Sequence, residues 1–194
     1  YFSALIRPEC APTELMHLTC AVAVAMCDAV DLCAKGRPGI KWINDLVIGR
    51  RKLGGILTEL GLKDGAVDHV VVGIGLNVSH SREDFLPELR DMATSLALEL
   101  TDPPALPQLA AAIVLALDEM LEHFPHDRDA CLEKYRAGCI TTGKQVQLVV
   151  RVDPDCLGGI RLDLDGVQMV CYKAYEDIPY QPGGITAKQA AAIG

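Results

Sequence analysis

Residues 39–60 read Gly39-Ile40-Lys41-Trp42-Ile43-Asn44-Asp45-Leu46-Val47-Ile48-Gly49-Arg50-Arg51-Lys52-Leu53-Gly54-Gly55-Ile56-Leu57-Thr58-Glu59-Leu60, and residues 70–78 read Val70-Val71-Val72-Gly73-Ile74-Gly75-Leu76-Asn77-Val78. The first stretch holds short β-rich runs, Ile40 to Ile43, Leu46 to Ile48 and Leu53 to Leu60. Gly49-Arg50-Arg51 separates the last two, and a polar, Gly-containing break between apolar runs reads as a hairpin turn. Residues 70–78 supply a further strand. Side chains alternate faces along a strand, which sets Lys41 and Ile43 opposite Trp42. Lys52 falls at the turn-proximal start of its strand, where a long side chain can curl over the sheet while its ammonium stays wet.

Glycine inside a strand weakens it and marks a bulge or a close approach by a ligand. Gly54, Gly55, Gly73 and Gly75 fall on two neighbouring apolar strands and suggest a flat floor for a planar molecule. Asn77, at the end of that floor, could read a polar edge, and Asp45 stands at a chain reversal. Taken singly, each signal has a plainer reading. A lysine or aspartate near a turn is ordinarily a solvated charge, and Arg50 and Arg51 suit an exposed hairpin. Their concentration within residues 39–78 is what points to a site.

Outward from this centre, Tyr1 to Arg7 is strand-like. Thr13 is a candidate N-cap with Glu14 in the first turn, where a carboxylate suits the helix dipole. A helix over 13–34 would bury Leu15, Leu18, Val22, Met26 and Ala29. Lys35-Gly36-Arg37-Pro38-Gly39 ends it. Residues 78–95 form a polar loop in which Phe85 and Leu86 are the bulky apolar residues. Leu109, Ile113, Leu117, Met120, Leu121 and Phe124 mark a helix over 107–124. A shorter helix over 129–137 turns Leu132 and Tyr135 inward and stops at Gly138. From Thr141 the pattern changes to short strands, at 145–152, 159–164 and 167–172.

The chain has 194 residues and a formal net charge of −8. That balance argues against a general nucleic-acid or membrane surface. No apolar run looks long enough to span a bilayer. None of the eight cysteines forms a Cys-x-x-Cys pair, and several fall inside apolar helix patterns. They read as free thiols used as small core residues in a reducing, cytoplasmic setting. His17, His69, His80, His123 and His126 show no metal-ligand spacing, so no metal-ligating residue is named.

Three linked motifs resemble the central motifs of biotin protein ligases: Lys41-Trp42-Ile43-Asn44-Asp45, Arg51-Lys52-Leu53-Gly54-Gly55-Ile56-Leu57 and Gly73-Ile74-Gly75-Leu76-Asn77-Val78. Their order and spacing match, and Thr94-Ser95-Leu96 is also similar. The resemblance covers about Tyr1 to Thr142. It implies an α+β fold, with a mixed β-sheet and packed helices in a catalytic domain over 1–140. A small SH3-like β-barrel, incomplete at its end, would occupy 141–194. Tyr175 through Gly194 match nothing expected.

The same resemblance implies that Lys52 is the catalytic lysine, touching both the biotin carboxylate and the α-phosphate. Asp45 and Lys41 would be its polar neighbours, Gly55, Gly73 and Gly75 would line the biotin floor, and Asn77 would face the nucleotide. The implied substrates are biotin and ATP with Mg²⁺. The implied partner is a biotin carboxyl carrier domain, without nucleic acid or membrane, and with a homodimer left open. In the family a Gly/Arg-rich loop precedes the strand that begins here at Tyr1. Activity of this chain alone is therefore expected to be impaired. Two rivals stand beside this reading: a lipoate or octanoate ligase or transferase of the same fold, and a non-catalytic remnant that binds a carrier domain or dimerises.

Overall fold

The structure, a computed structural model, describes residues 1–144 and the strands Leu148–Val152, Gly159–Leu164 and Val167–Tyr172. The chain divides into two compact units, Tyr1–Thr142 and Gly143–Gly194.

Five strands form the sheet of the first unit: β1 (Phe2–Ile6), β2 (Gly39–Lys41), β3 (Asp45–Ile48), β4 (Arg51–Lys63) and β5 (Ala66–Leu76), in the order β1-β5-β4-β3-β2. Every pairing between these strands is antiparallel, so the sheet is not the mixed one expected. The reason is connectivity. β2 through β5 are joined by tight turns, and a tight turn can join only antiparallel neighbours. The long crossover from β1 to β2 carries β2 to the opposite edge, where it never meets β1. Among the described residues, parallel pairing is confined to two isolated bridges, Ile40 with Cys139 and Lys52 with Ala93.

The turn after β3 is the one expected. Ile48 faces Arg51, leaving Gly49-Arg50 as a two-residue loop, and Gly49 has the positive φ of 62° that such a loop requires. The strand expected over Ile40 to Ile43 is shorter, because Lys41 already faces Asp45 and residues 42–44 form the turn.

One face of the sheet is the core. Ile40, Leu46, Ile56, Val70, Val72 and Ile74 are each at most 2 % exposed, and they alternate with residues of the other face as strand geometry demands. Helix α1 (Leu18–Ala34) packs on this face, and α3 (Leu106–His123) and α4 (Arg128–Gly138) pack on α1. A single turn of helix, α2 (Leu96–Glu99), precedes α3. Sandwiched in this way, α1 is buried nearly all round: Cys20, Ala23, Val24 and Cys27 are covered as well as Leu18, Val22, Met26 and Ala29 of the expected stripe, whereas Leu15 of that stripe lies before α1 and is only partly buried.

The start of α1 differs from expectation. A 3₁₀ turn at Pro12–His17 precedes it, and Thr13 caps nothing. Glu14 Oε2 instead accepts from the Ala11 N–H at 2.7 Å. By length and composition Pro12–Ala34 could cross a bilayer, contrary to the sequence reading, but 67 % of its apolar window is buried inside the fold. His17 is also buried, its ring 4.8 Å from that of Phe124, and burial with the nearby Arg128 pushes its pKa down.

In the second unit β6 (Leu148–Val152), β7 (Gly159–Leu164) and β8 (Val167–Tyr172) form an antiparallel sheet in sequential order. The barrel closure and the aberrant tail expected over 175–194 lie outside the described residues.

Candidate active site

Register brings the named residues together. Lys41 faces Asp45, Asp45 faces Gly55, and Gly55 faces Gly75. Directly opposed residues share a face, so these four make one row across the sheet on the side away from α1. Leu5 and Leu57, exposed at 54 % and 59 %, share that side.

Lys52 joins the row through a β-bulge. Val47 faces Lys52 and Leu46 faces Gly54, which leaves Leu53 as an extra residue in β4. A bulge bends its strand and re-aims the neighbouring side chain. The Lys52 ammonium thereby reaches Asp45, with Nζ 2.5 Å from Oδ1; the lysine side chain is 51 % exposed and the aspartate 15 %. The pair lies above Gly55: a Cβ there would come within 3.3 Å of Asp45 Oδ1 and 3.4 Å of Lys52 Nζ. At Gly54 the need for glycine comes from the backbone, since a Cβ would collide with the Gly75 carbonyl oxygen. A Cβ on Gly75 would stand 3.3 Å from the Tyr1 ring, whereas Gly73 has no close neighbour. The flat floor is thus narrow at Gly55 and Gly75 and open at Gly73.

Asp45 pairs with Lys52, not with Lys41. Lys41 sits at the end of β2 in the same row, with no ion pair among the described residues.

Asn77, expected to face the nucleotide, also braces the backbone around it. Its Nδ2 donates to the Thr94 carbonyl at 3.0 Å and its backbone N–H to the Leu53 carbonyl at 2.9 Å. Its own carbonyl accepts from the Leu96 N–H at 3.0 Å, and that of Val78 from the Ala97 N–H at 2.8 Å. These bonds close the neck of the loop over 78–95. Within the loop the His80 and Phe85 rings stack at 5.6 Å, while Leu86 is 61 % exposed. Phe85 is thus held by its own loop.

The sequence reading missed two features. Asn44, beside Asp45, extends the β3–β4 pairing: its Nδ2 donates to the Ile56 carbonyl at 2.7 Å and its carbonyl accepts from the Ile56 N–H at 2.9 Å. Segment 92–94 also lies against β4. The Lys52 N–H donates to the Met92 carbonyl at 2.7 Å, and the Thr94 N–H to the Lys52 carbonyl at 2.8 Å. The catalytic candidate is therefore fixed at both main-chain groups, and only its side chain is free to move. Thr94-Ser95-Leu96, noted for its likeness alone, was the available signal.

A cavity of about 140 Å³ between α1, α3 and α4, lined by His17, Val24, Met120, Phe124 and others, contains none of the residues named for the site. The site is an open surface on the opposite side of α1.

The chain is similar to several known proteins. Residues 1–77 match the model of the biotin/lipoate A/B protein ligase family. The bifunctional ligase/repressor BirA of Bacillus spizizenii is 38 % identical over 97 residues, which is 50 % of this chain and 30 % of that protein. The biotin–[acetyl-CoA-carboxylase] ligase of Mycobacterium tuberculosis is 29 % identical over 157 residues, 79 % of this chain and 55 % of that one. These matches thus cover only part of each relative's length. Among solved structures, the apo biotin protein ligase of Aquifex aeolicus superposes with a TM-score of 0.67 at 21 % identity, over 89 % of this chain and 78 % of that one. The same enzyme in complex with biotin and ATP gives 0.65. The chain is thus similar to biotin protein ligases in fold, and residues 1–77 match the wider biotin/lipoate family.

Proposed function

We propose that this chain carries the catalytic centre of an ATP-dependent biotin protein ligase, with its first unit as the catalytic domain. The observation that carries this reading is the Lys52–Asp45 pair, held by a bulge above Gly55 and locked through the Lys52 main chain. It is supported by the match of residues 1–77 to the family and by the Aquifex fold, known with biotin and ATP.

The reaction would run in two steps. A biotin carboxylate oxygen attacks the α-phosphorus of ATP, the bond to the bridging oxygen breaks, and pyrophosphate leaves with the electron pair. A lysine amine of a carboxylase carrier domain then attacks the carbonyl of biotinyl-AMP, and AMP leaves. The first step drives an anion toward a polyanion, so fixed positive charge does most of the catalysis. The Lys52 ammonium suits this. It can trade its Asp45 carboxylate for the incoming carboxylate and phosphate, and its exposed tip is free to do so. Lys41, in the same row, can add a second charge. The glycine row lets a flat ring lie close to the backbone.

No group of three His, Cys, Asp or Glu side chains among the described residues forms a metal cage. Magnesium would be carried largely by the phosphates of ATP, because it keeps most of its shell as water and phosphate oxygen. When bound it would neutralise phosphate charge. The small barrel assigned to 141–194, the carrier partner and the cytoplasmic setting belong to this same proposal.

The matching family spans lipoate as well as biotin enzymes, which keeps the lipoate reading as the alternative. ATP–pyrophosphate exchange with biotin, lipoate and octanoate in turn tests both. Exchange with biotin, at a slow rate, is the expected result. Exchange with lipoate or octanoate in its place would move the chain to the other branch, and no exchange with any acid would leave the non-catalytic reading.

A further inference from the structure

The β5 strand accompanies β4 only as far as Leu76, opposite Gly54, and Asn77 makes the last bond to Leu53. At Lys52 its place is taken by segment 92–94, which returns from the loop and runs parallel to β4. A bridge this short has little ladder to hold it.

Beyond its backbone bonds, a carboxylate ties it down. The Thr94 hydroxyl, on a fully buried residue, donates to Glu99 Oε1. The same oxygen takes Arg51 Nη2 at 2.7 Å. The Glu99 side chain is only 14 % exposed, against 43 % for Arg51. A charge this well covered is costly unless it is paired and hydrogen-bonded. Glu99 is both, and its partners are informative. Arg51 precedes Lys52 in the chain, and Thr94 is bonded to Lys52 through its N–H. The contacts close a ring from Lys52 to Arg51, Glu99, Thr94 and back to Lys52. Asn77 braces the ring from outside through the Thr94 carbonyl. A negative charge near a site for anionic substrates works against binding them. Here it is consumed by the ring.

We propose that Glu99 is a positioning residue for Lys52, acting through Arg51 and Thr94 to fix the backbone from which the ammonium projects. The proposal rests on the reading of Lys52 as the group that stabilises the reacting charge. Glu99 itself touches no substrate.

The test uses the chain with Glu99→Gln, Thr94→Val and Thr94→Ser. Amide hydrogen exchange is followed at Lys52 and Thr94, with Val71 and Val72 of the β1–β5 pair as reference. Biotin-dependent pyrophosphate exchange gives kcat and KM. In Glu99→Gln, which removes the charge, and Thr94→Val, which removes the hydroxyl donor, exchange at Lys52 and Thr94 should rise about tenfold or more, as for a weakened or lost hydrogen bond to a charged group. The reference amides should hold, kcat should fall and KM for biotin should stay. Thr94→Ser keeps the hydroxyl and should restore both readouts. Unchanged exchange at Lys52 and Thr94, or an equal rise at the reference amides, overturns the proposal. So does a fall in kcat that Thr94→Ser fails to rescue. Should the unaltered chain exchange no pyrophosphate with any acid, the ligase reading falls and the positioning role falls with it, while the amide readout still decides whether the ring exists.

Discussion

On the proposed function Lys52 carries the reacting charge, and its neighbours say what each change there should do. Its ammonium is half exposed and rests on Asp45, so Lys52→Ala removes a charge without opening the core. Loss of one preorganised charge-stabilising donor costs about 3–4 kcal/mol, roughly a hundred- to thousandfold in rate. Single-turnover biotinyl-AMP formation should fall by that factor while the fold persists, with a modest drop in melting temperature from the Asp45 carboxylate left unpaired. Lys52→Arg should recover only part, since a planar guanidinium places its charge differently from a compact ammonium. Near-full adenylation by Lys52→Ala, with loss in Lys41→Ala, would transfer the role to Lys41. The two adjacent glycines should separate stability from function. Gly54→Ala drives a methyl into the Gly75 carbonyl and should destabilise by about 1–3 kcal/mol, the usual range for overpacking. Gly55→Ala meets only the flexible lysine tip and the aspartate oxygen, so it should fold and weaken biotin binding. Urea melts and biotin titration of both variants check this. Equal loss of stability in both would show that the Gly55 floor is structural.

At the scale of elements, what the sequence disclosed depended on range. The hairpin at Gly49-Arg50 was legible because turn chemistry is local. The single row of Lys41, Asp45, Gly55 and Gly75 followed from strand order and alternation once the strands were paired. The bulge was signalled by Gly54-Gly55 as one of two readings, but its position at Leu53 was not legible, because it exists only relative to β3. Asn77 looked like an edge-reading group, and its partner Thr94 is seventeen residues away across a loop. The same limit applies to α1: a stripe at helical spacing was visible, but its burial on the remaining faces depends on α3 and α4. That burial makes a prediction. Met26, fully buried in α1, should cost about 2–5 kcal/mol on truncation to Ala, from lost transfer energy and the cavity left. Leu115 in α3, at 65 % exposure, should cost far less under the same change. Urea midpoints of the two variants decide it, and similar losses would contradict the layered packing.

For the molecule as a whole, the core around α1 sets a limit at alkaline pH. Burial pushes the Cys20 thiol up to about 11 and the Cys27 thiol up to about 12 from an ordinary value of 9.0. Burial first, then nearby cysteines, also raises the Tyr135 phenol, whose hydroxyl donates to the Ile43 carbonyl at 2.9 Å. In each case the folded state keeps a proton that the unfolded chain releases earlier. Below about pH 9 both states hold the thiol protons and stability is unaffected by these groups. Above it the unfolded chain binds fewer protons than the folded one, and the free energy of unfolding falls as pH rises. Stability should therefore decline from about pH 9 onward, and continue to decline until the folded thiols ionise near pH 11 to 12. Replacing both thiols by alanine removes two of the contributing groups, so the decline between pH 9 and 11 should become shallower even though the variant starts less stable. Chemical denaturation at steps of pH, with the slope compared between the parent and Cys20→Ala/Cys27→Ala, measures this. Parallel slopes would mean that the two thiols are not held protonated by burial beneath the sheet.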